Sequence, residues 1–261
     1  MKTGIPREVM YGEGRVALVP AACSELTAAG HKVYLEAGAG LGSGYSDQDY
    51  REAGVEVVSS KEALFAAADL IVKVKQPLEE GLKDLKQKHV VFSFLHLAPQ
   101  PVLTRQLCDI GLTAIAFEAV VDESGDRPLL APMSKIAGRL AVLSGVNCLF
   151  QNNGGKGILL GGIDSADRGK VAVLGAGAAG ECAVATASAL GASVTVFDLN
   201  ADRLQRLVLR YQNCTGLLSS ERAVAAAVDD ADLVVSAVMV AGRRAPVVIS
   251  QAMIDRMTPG S

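Results

Sequence analysis

The sequence has no tryptophan, and aromatic residues make up only 4% of its 261 residues. So few rings argue for tight helix–strand packing through 27 glycines and many alanines rather than for aromatic platforms. It also lacks an excess of positive charge. Its 25 Lys and Arg face 28 Asp and Glu, a formal net charge of -3. That excludes the basic footprint of a nucleic-acid binder and a polybasic membrane patch. The opening stretch MKTGIPREVMYGEGR has no apolar run, so it does not read as a secretory signal. The longest weakly charged stretch, residues 171–197, carries a G-x-G-x-x-G pattern and is interrupted by Glu181. It reads as a buried strand–helix–strand, not as a membrane span. The five cysteines, Cys23, Cys108, Cys148, Cys182 and Cys214, are widely and irregularly spaced, with no C-x-x-C and no nearby His pair. They fit buried, reduced thiols in a cytoplasmic protein, and neither a disulfide frame nor a metal site is expected.

What the sequence does have is strand–helix alternation from end to end. The runs TGIP, KVYLEAG, VEVVS, DLIVKVK, HVVFSFL and LTAIAFEAV read as strands in the first half. AACSELTAAG, SKEALFAAA and QPVLTRQLCDIG read as helices between them, with Gly30 and Gly111 at C-terminal caps. LIVKV and VVFSF are nearly continuous in apolar residues, as strands covered on both faces are. The stretch DESGDRPLLAPM, residues 122–133, is rich in charge, Gly and Pro and suits a crossing between lobes. A long helix comes next over roughly residues 134–151, with Ile136, Leu140, Leu143 and Val146 at helical spacing. After the irregular loop NNGGKGILLGGIDSADRG a second α/β unit begins at Lys170. The prediction is an α/β protein of two doubly wound parallel-sheet lobes, residues 1–130 and 131–261, the second a dinucleotide-binding Rossmann domain.

The glycine turn of that second lobe is Gly175, Gly177 and Gly180. Alone the pattern is weak, but here a strand precedes it and a helix comes after it. The next strand, SVTVFD, ends in Asp198, 18 residues beyond the last glycine. Gly175 allows the tight turn, Gly177 lets backbone approach a pyrophosphate, and Gly180 lets helix pack on strand. The helix start presents free N–H groups to the phosphates. Asp198 suits a ribose with free hydroxyls and repels a 2′-phosphate, which favours NAD over NADP. An earlier glycine cluster, GAGLGSG, alternates every second residue and leads into the polar YSDQDY. It reads as an irregular loop and not as a second nucleotide site.

Three polar residues in the first lobe stand at strand ends or in the loop after the first strand: Arg15, Lys75 and His96. The C-terminal ends of parallel strands face one crevice where ligands bind. Arg grips a carboxylate in bidentate fashion, and His moves protons near neutral pH. Each also has an ordinary reading: a surface salt bridge for Arg15, a snorkelling Lys75, a loop-capping His96. Spacing does not separate the two. His31 and His89 precede strands and read as structural or solvent-facing.

GIPRE, RVALVP, GSGYSDQDY, VKVKQPL, LHLAP, LLAPMSKIAGRLAV, GGKGILLGG, VAVLGAGAAG and AGRRAP together resemble the alanine dehydrogenases. That group shares a superfamily with the nicotinamide-binding subunit of proton-translocating transhydrogenase, and LHLA and GGKGILLGG look like the dehydrogenase branch. The resemblance implies NAD-dependent oxidation of L-alanine to pyruvate and ammonium, reversible, in a homo-oligomer. It implies that Arg15 holds the substrate carboxylate, that Lys75 binds a substrate oxygen and polarises the reacting carbon, and that His96 moves the proton. It adds Met133 and Ser134 beside the nicotinamide and phosphates, Arg203 with Asp198 at the adenosine end, Ser220 near the adenine, and Met239 and Val240 after the fourth strand. It also implies a further strand after MTPGS, ending in an aspartate, so the Rossmann domain is expected to lack its last strands and this catalytic carboxylate. A catalytically impaired NAD-binding protein, a fragment, another amino-acid dehydrogenase and a transhydrogenase-like subunit are the alternative readings.

Overall fold

The two longest apolar strand runs of the first half lie inside a six-stranded parallel sheet. In a computed structural model describing residues 1–240 and 245–261, the chain divides into two units, Met1–Arg127 and Pro128–Ser261. In the first, β1 (Lys2–Ile5), β2 (Lys32–Glu36), β3 (Glu56–Val58), β4 (Leu70–Lys75), β5 (Val90–Phe94) and β6 (Thr113–Ala116) take the order β3-β2-β1-β4-β5-β6, every pair parallel. The helices between them are α1 (Pro20–Ala28), α2 (Asp47–Glu52), α3 (Lys61–Ala67), α4 (Glu79–Leu82) and α5 (Pro101–Ile110).

Alternation along β2 shows how both faces are covered. Tyr34 joins a core with Leu64 and Phe65 of α3, Leu82 of α4 and Leu103 and Leu107 of α5. Its neighbours Val33 and Leu35 join Ile5, Cys23 of α1 and Tyr50 of α2 on the other side. Gly30 and Gly111 lie just past α1 and α5 with φ of 81° and 75°, the left-handed conformation that stops a helix cheaply only at glycine. GAGLGSG forms a 3₁₀ turn, and α2 then starts on a capping box between Ser46 and Asp49.

The second unit contains α6 (Leu130–Leu149), β7 (Lys170–Leu174), α7 (Ala178–Ala189), β8 (Ser193–Asp198), α8 (Ala201–Arg210), β9 (Cys214–Leu218), α9 (Glu221–Asp230), β10 (Leu233–Ser236) and α10 (Gln251–Ile254). Its sheet is parallel in the order β10-β7-β8-β9. Small residues set the layer spacing. A side chain at Gly138 of α6 would strike the Ala179 carbonyl of α7, and one at Gly145 would strike Leu233 of β10. Val142, Ala183, Val184, Ala187, Val171 and Val196 fill the core behind this contact.

Two expectations are corrected. The long helix starts four residues earlier than predicted, so Met133 lies on α6 with Ser134 and not in the preceding crossing. Its periodic apolar residues Ile136, Leu140 and Leu143 are half-exposed, while Gly138, Val142 and Leu149 are buried. The small residue, not the larger one, fits against α7. The cysteines are all free, but only Cys23 and Cys214 are buried; Cys108 and Cys148 are exposed.

Candidate functional site

Strand order in the first unit reverses between β1 and β4, the place where open α/β sheets hold ligands at strand C-termini. Lys75 is the last residue of β4. His96 lies two residues beyond the end of neighbouring β5, and Arg15 lies in the loop after β1. Topology therefore brings all three to the same edge of one sheet, as their positions predicted.

A glutamate attends each of them. Glu13 takes the Arg15 guanidinium edge-on, with Nε donating to Oε1 at 2.8 Å and Nη2 to Oε2 at 2.6 Å. The Arg15 backbone N–H also donates to Oε1 at 3.0 Å. These bonds to Arg15 hold the Glu13 carboxyl below the usual carboxylate range, and the positive charge of Lys75 acts in the same direction. Glu13 thus lies within the field of both cations. Glu8 accepts from the N–H of Val74 at 2.7 Å and of Lys75 at 3.4 Å, and pairs through its other oxygen with the buried Lys73 ammonium at 3.1 Å. Glu118 accepts from the N–H of His96 at 2.6 Å and of Leu95 at 3.3 Å, and its Oε1 lies 3.8 Å from His96 Nδ1.

His96 has φ of 48°, the single positive value among the described non-glycine residues. Such a conformation costs about 1–3 kcal/mol and persists where the surroundings over-determine it. Here the two bonds to Glu118 and the stacking of the ring on Phe94, at 6.1 Å and 12°, do so. His89 is structural, as expected. It is 1% exposed, its Nδ1 accepts from the Lys86 N–H, and its Nε2 meets the Phe65 carbonyl, both at 2.9 Å. His31 is partly exposed at the start of β2, with Nδ1 3.4 Å from the N-terminal amine.

In the second unit the three glycines have three different surroundings. Gly175 has φ of 99°, and a side chain there would meet the Ala237 carbonyl at 2.8 Å. A side chain at Gly180 would run into the Gly175 carbonyl. At Gly177 it would meet nothing within 4 Å. That open space lies over the N-terminus of α7, which no side chain caps. The first N–H groups of α7 lack intrahelical acceptors, and the macrodipole makes this end positive. This cradle fits a dinucleotide pyrophosphate. Asp198 closes it from β8: its Oδ2 accepts from the Ala176 N–H at 2.6 Å and its Oδ1 from the Asn200 N–H at 2.8 Å. Two oxygens with several lone pairs leave acceptor capacity for ribose hydroxyls.

The other predicted cofactor residues are less tightly gathered. Arg203 lies in the first turn of α8, its backbone N–H bound by Asn200. Ser220 comes after β9, and its hydroxyl caps α9 by accepting from the Ala223 N–H at 3.3 Å. Met239 and Val240 come after β10 just beyond Ala237 and are exposed. Ser134 lies one turn before Gly138 on α6. Of AGRRAP, residues 241–244 lie outside the described residues. Among the described residues there is no metal-binding cluster, and no helix is long and apolar enough to cross a membrane.

Sequence reasoning missed Glu8, Glu13 and Glu118. Only Glu13, two residues from Arg15, carried a local signal; the other two reach their partners across neighbouring strands.

The chain matches the alanine dehydrogenase/PNT N-terminal domain over residues 4–137 and the C-terminal domain of the same family over residues 141–261. It is 43% identical to an alanine dehydrogenase of Bacillus subtilis, covering all of this chain and 69% of that one. A solved L-alanine dehydrogenase superposes with a TM-score of 0.89 at 42% identity, over all of this chain and 72% of that one. A solved transhydrogenase from Sinorhizobium meliloti is further off, with a TM-score of 0.81 at 28% identity over all of this chain and 76% of that one. With two parallel sheets, a glycine cradle and these matches from end to end, the chain belongs to the alanine dehydrogenase/PNT family.

Proposed function

We propose that this chain is an NAD-dependent oxidoreductase. It converts L-alanine, NAD and water to pyruvate, ammonium, NADH and a proton, and runs the reverse amination. The observation that carries this reading is the 43% identity, along the whole chain, to a relative that is an alanine dehydrogenase. The 28% identity to a transhydrogenase makes that branch the weaker fit.

Bound NAD supplies the hydride acceptor. Gly175, Gly177 and Gly180 with the start of α7 hold its pyrophosphate. Asp198 takes the ribose hydroxyls, and Arg203 and Ser220 attend the adenosine end. Ser134, Met239 and Val240 line the remainder of the cofactor's path. In the first unit Arg15 binds the substrate carboxylate in an orientation fixed by Glu13. Lys75 binds a substrate oxygen and draws electron density from the reacting carbon. His96 moves the proton, a role worth about 10²–10⁴-fold in rate. The same family likeness supports a cytoplasmic homo-oligomer, which light scattering of the purified protein tests.

The functional test is NADH formation from L-alanine and NAD at alkaline pH, run beside a panel of other small amino acids and a separate NADH fluorescence titration. NADH binding with turnover of L-alanine above the panel supports the proposal. Binding without turnover of any amino acid leaves only the nucleotide site standing. Preference for another amino acid replaces the substrate.

A further inference from the structure

We propose that Glu8 and Glu118 are a matched pair of positioning residues: each holds the end of the adjoining strand so that Lys75 or His96 projects at the sheet edge. The proposal rests on the alanine dehydrogenase reading for the roles of Lys75 and His96.

The same device occurs twice. β1 pairs with β4 only through Thr3↔Leu70 and Gly4↔Ile71, and its strand ends at Ile5. β4 runs on to Lys75, and its register against β5 shifts between Val72 and Lys75. Three residues after β1 ends, Glu8 supplies the acceptor that the departing strand no longer offers, taking the N–H of Val74 and of Lys75. On the other side, β6 pairs with β5 as far as Ser93↔Ala116 and ends there. Two residues later Glu118 takes the N–H of Leu95 and of His96. Both carboxylates come from the segment just past the end of the flanking strand. Both bind the N–H of the site residue and of the residue before it. Both make their shorter bond, 2.7 Å or 2.6 Å, in the range of charge-assisted hydrogen bonds.

The pairs are also anchored. Glu8 is 3% exposed and neutralised by Lys73, itself 9% exposed, so a buried ion pair holds the carboxylate in place. Glu118 holds the one non-glycine residue with positive φ among those described, a backbone turn that sets where the His96 ring leaves the sheet. A carboxylate suits this task better than a carboxamide. Glu118 gives one oxygen to each N–H, and Glu8 gives one oxygen to both N–H groups and the other to Lys73, so each carboxylate uses both oxygens as acceptors, whereas Gln offers one oxygen and one further donor.

The test uses Glu8→Gln and Glu118→Gln in the full chain. Amide hydrogen exchange is read first, on unliganded protein. Glu118→Gln is expected to speed exchange at Leu95 and His96 roughly tenfold or more while Val74 and Lys75 stay protected; Glu8→Gln does the converse. Steady-state rates are read second. Each variant is expected to lose about 10–100-fold in kcat/KM for L-alanine, with the NADH dissociation constant unchanged. The loss falls in KM for Glu8→Gln and in kcat for Glu118→Gln. Should either Gln variant fail to fold, the Asp variant at that position keeps both acceptor oxygens and is expected to lose protection and rate partially. Wild-type exchange at all four amides overturns the proposal. So does lost protection with wild-type kcat/KM. A wild-type chain that turns over no amino acid counts against the alanine dehydrogenase reading. The exchange pattern, together with pyruvate-induced shifts at the Lys75 and His96 amides, then decides the positioning role alone.

Discussion

Replacing Gly177 and Gly180 by alanine, one at a time, separates nucleotide binding from packing in the glycine cradle. Gly177 is extended, with φ of -75° and ψ of -171°, which alanine adopts without strain, and its new methyl would meet nothing within 4 Å. Alanine is a poorer N-cap than glycine, but it also restricts the unfolded chain, worth about 0.4–1 kcal/mol. The two nearly cancel, so stability should stay within about 0.5 kcal/mol of wild type. The methyl would stand where a pyrophosphate approaches the α7 N–H groups, and NADH affinity should fall at least about tenfold, or about 1.4 kcal/mol. Gly180 behaves in the opposite way. Alanine gains up to about 1 kcal/mol in helix propensity. Its methyl, however, would run into the Gly175 carbonyl, and Gly175 has no room to retreat. The Gly175 N–H is tied to the Phe197 carbonyl at 2.7 Å, and its other side faces Ala237. Overpacking of this kind costs about 1–3 kcal/mol, so Gly180→Ala should lose about 1–2 kcal/mol net. Urea midpoints at constant m and NADH fluorescence titrations read the two effects. A Gly177→Ala protein that binds NADH as tightly as wild type would refute placement of the pyrophosphate over α7.

Asp198→Ala removes the acceptor of two turn N–H groups as well as the ribose partner; NADH should bind about 10–100-fold more weakly, and discrimination against NADPH should narrow, both read by titration. Burial, the largest cause, lowers the His89 pKa below its ordinary 6.5. The folded state therefore resists protonation, so stability is complete above about 6.5 and declines as pH falls below it towards the depressed folded value. Urea midpoints between about pH 7 and 5 should fall more steeply in wild type than in His89→Gln. The thiols of Cys23 and Cys214 are buried and pushed up to about 11 by desolvation, whereas Cys108 and Cys148 are exposed. A colorimetric thiol reagent at neutral pH should label the exposed pair rapidly and the buried pair only on unfolding.

Much of this was legible because it is local. The apolar runs of β4 and β5, the cap glycines Gly30 and Gly111, and the strand–glycine turn–helix around Gly175 depend on near neighbours in sequence, and all appear as read. Lys75 and His96 were legible as well, since ends of parallel strands share an edge by topology. The start of α6 was not, because Pro132 reads as a breaker, yet Pro is tolerated in a first helical turn where N–H groups need no intrahelical partner. The buried face of α6 was misleading for a related reason. Its large apolar residues repeat at helical spacing, but the contact with α7 admits only Gly138 against the Ala179 backbone. Glu8 and Glu118 escaped altogether. Glu8 lies 67 residues from Lys75 and Glu118 lies 22 from His96, and only the points where β1 and β6 end bring them together.

The two units share the beginning of one topology, β3-β2-β1-β4 and β9-β8-β7-β10, so the switch point falls after the first strand of each. The segment leaving that strand decides which ligand the crevice takes. After β7 the chain turns at once on Gly175 and enters α7, whose uncapped N-terminus is aimed at the switch point; the recognised group is then an anion bound by backbone. After β1 the chain meets Pro6 and runs on for 14 residues before α1 starts at Pro20, so no helix N-terminus is delivered directly. Its place is taken by side chains on that loop, Glu8, Glu13 and Arg15, set against Lys75 and His96 from the next two strands. Such an arrangement offers a guanidinium and an ammonium at the crevice, and leaves the backbone donors at the ends of β4 and β5 to internal carboxylates. On the proposed reading the first unit uses a nucleotide-binding topology for a small amino-acid substrate, and its glycine-alternating loop at residues 38–44, which comes after β2, braces the Arg15 loop: Ser43 Oγ accepts from the Val16 N–H and donates to the Gly14 carbonyl, both at 3.1 Å.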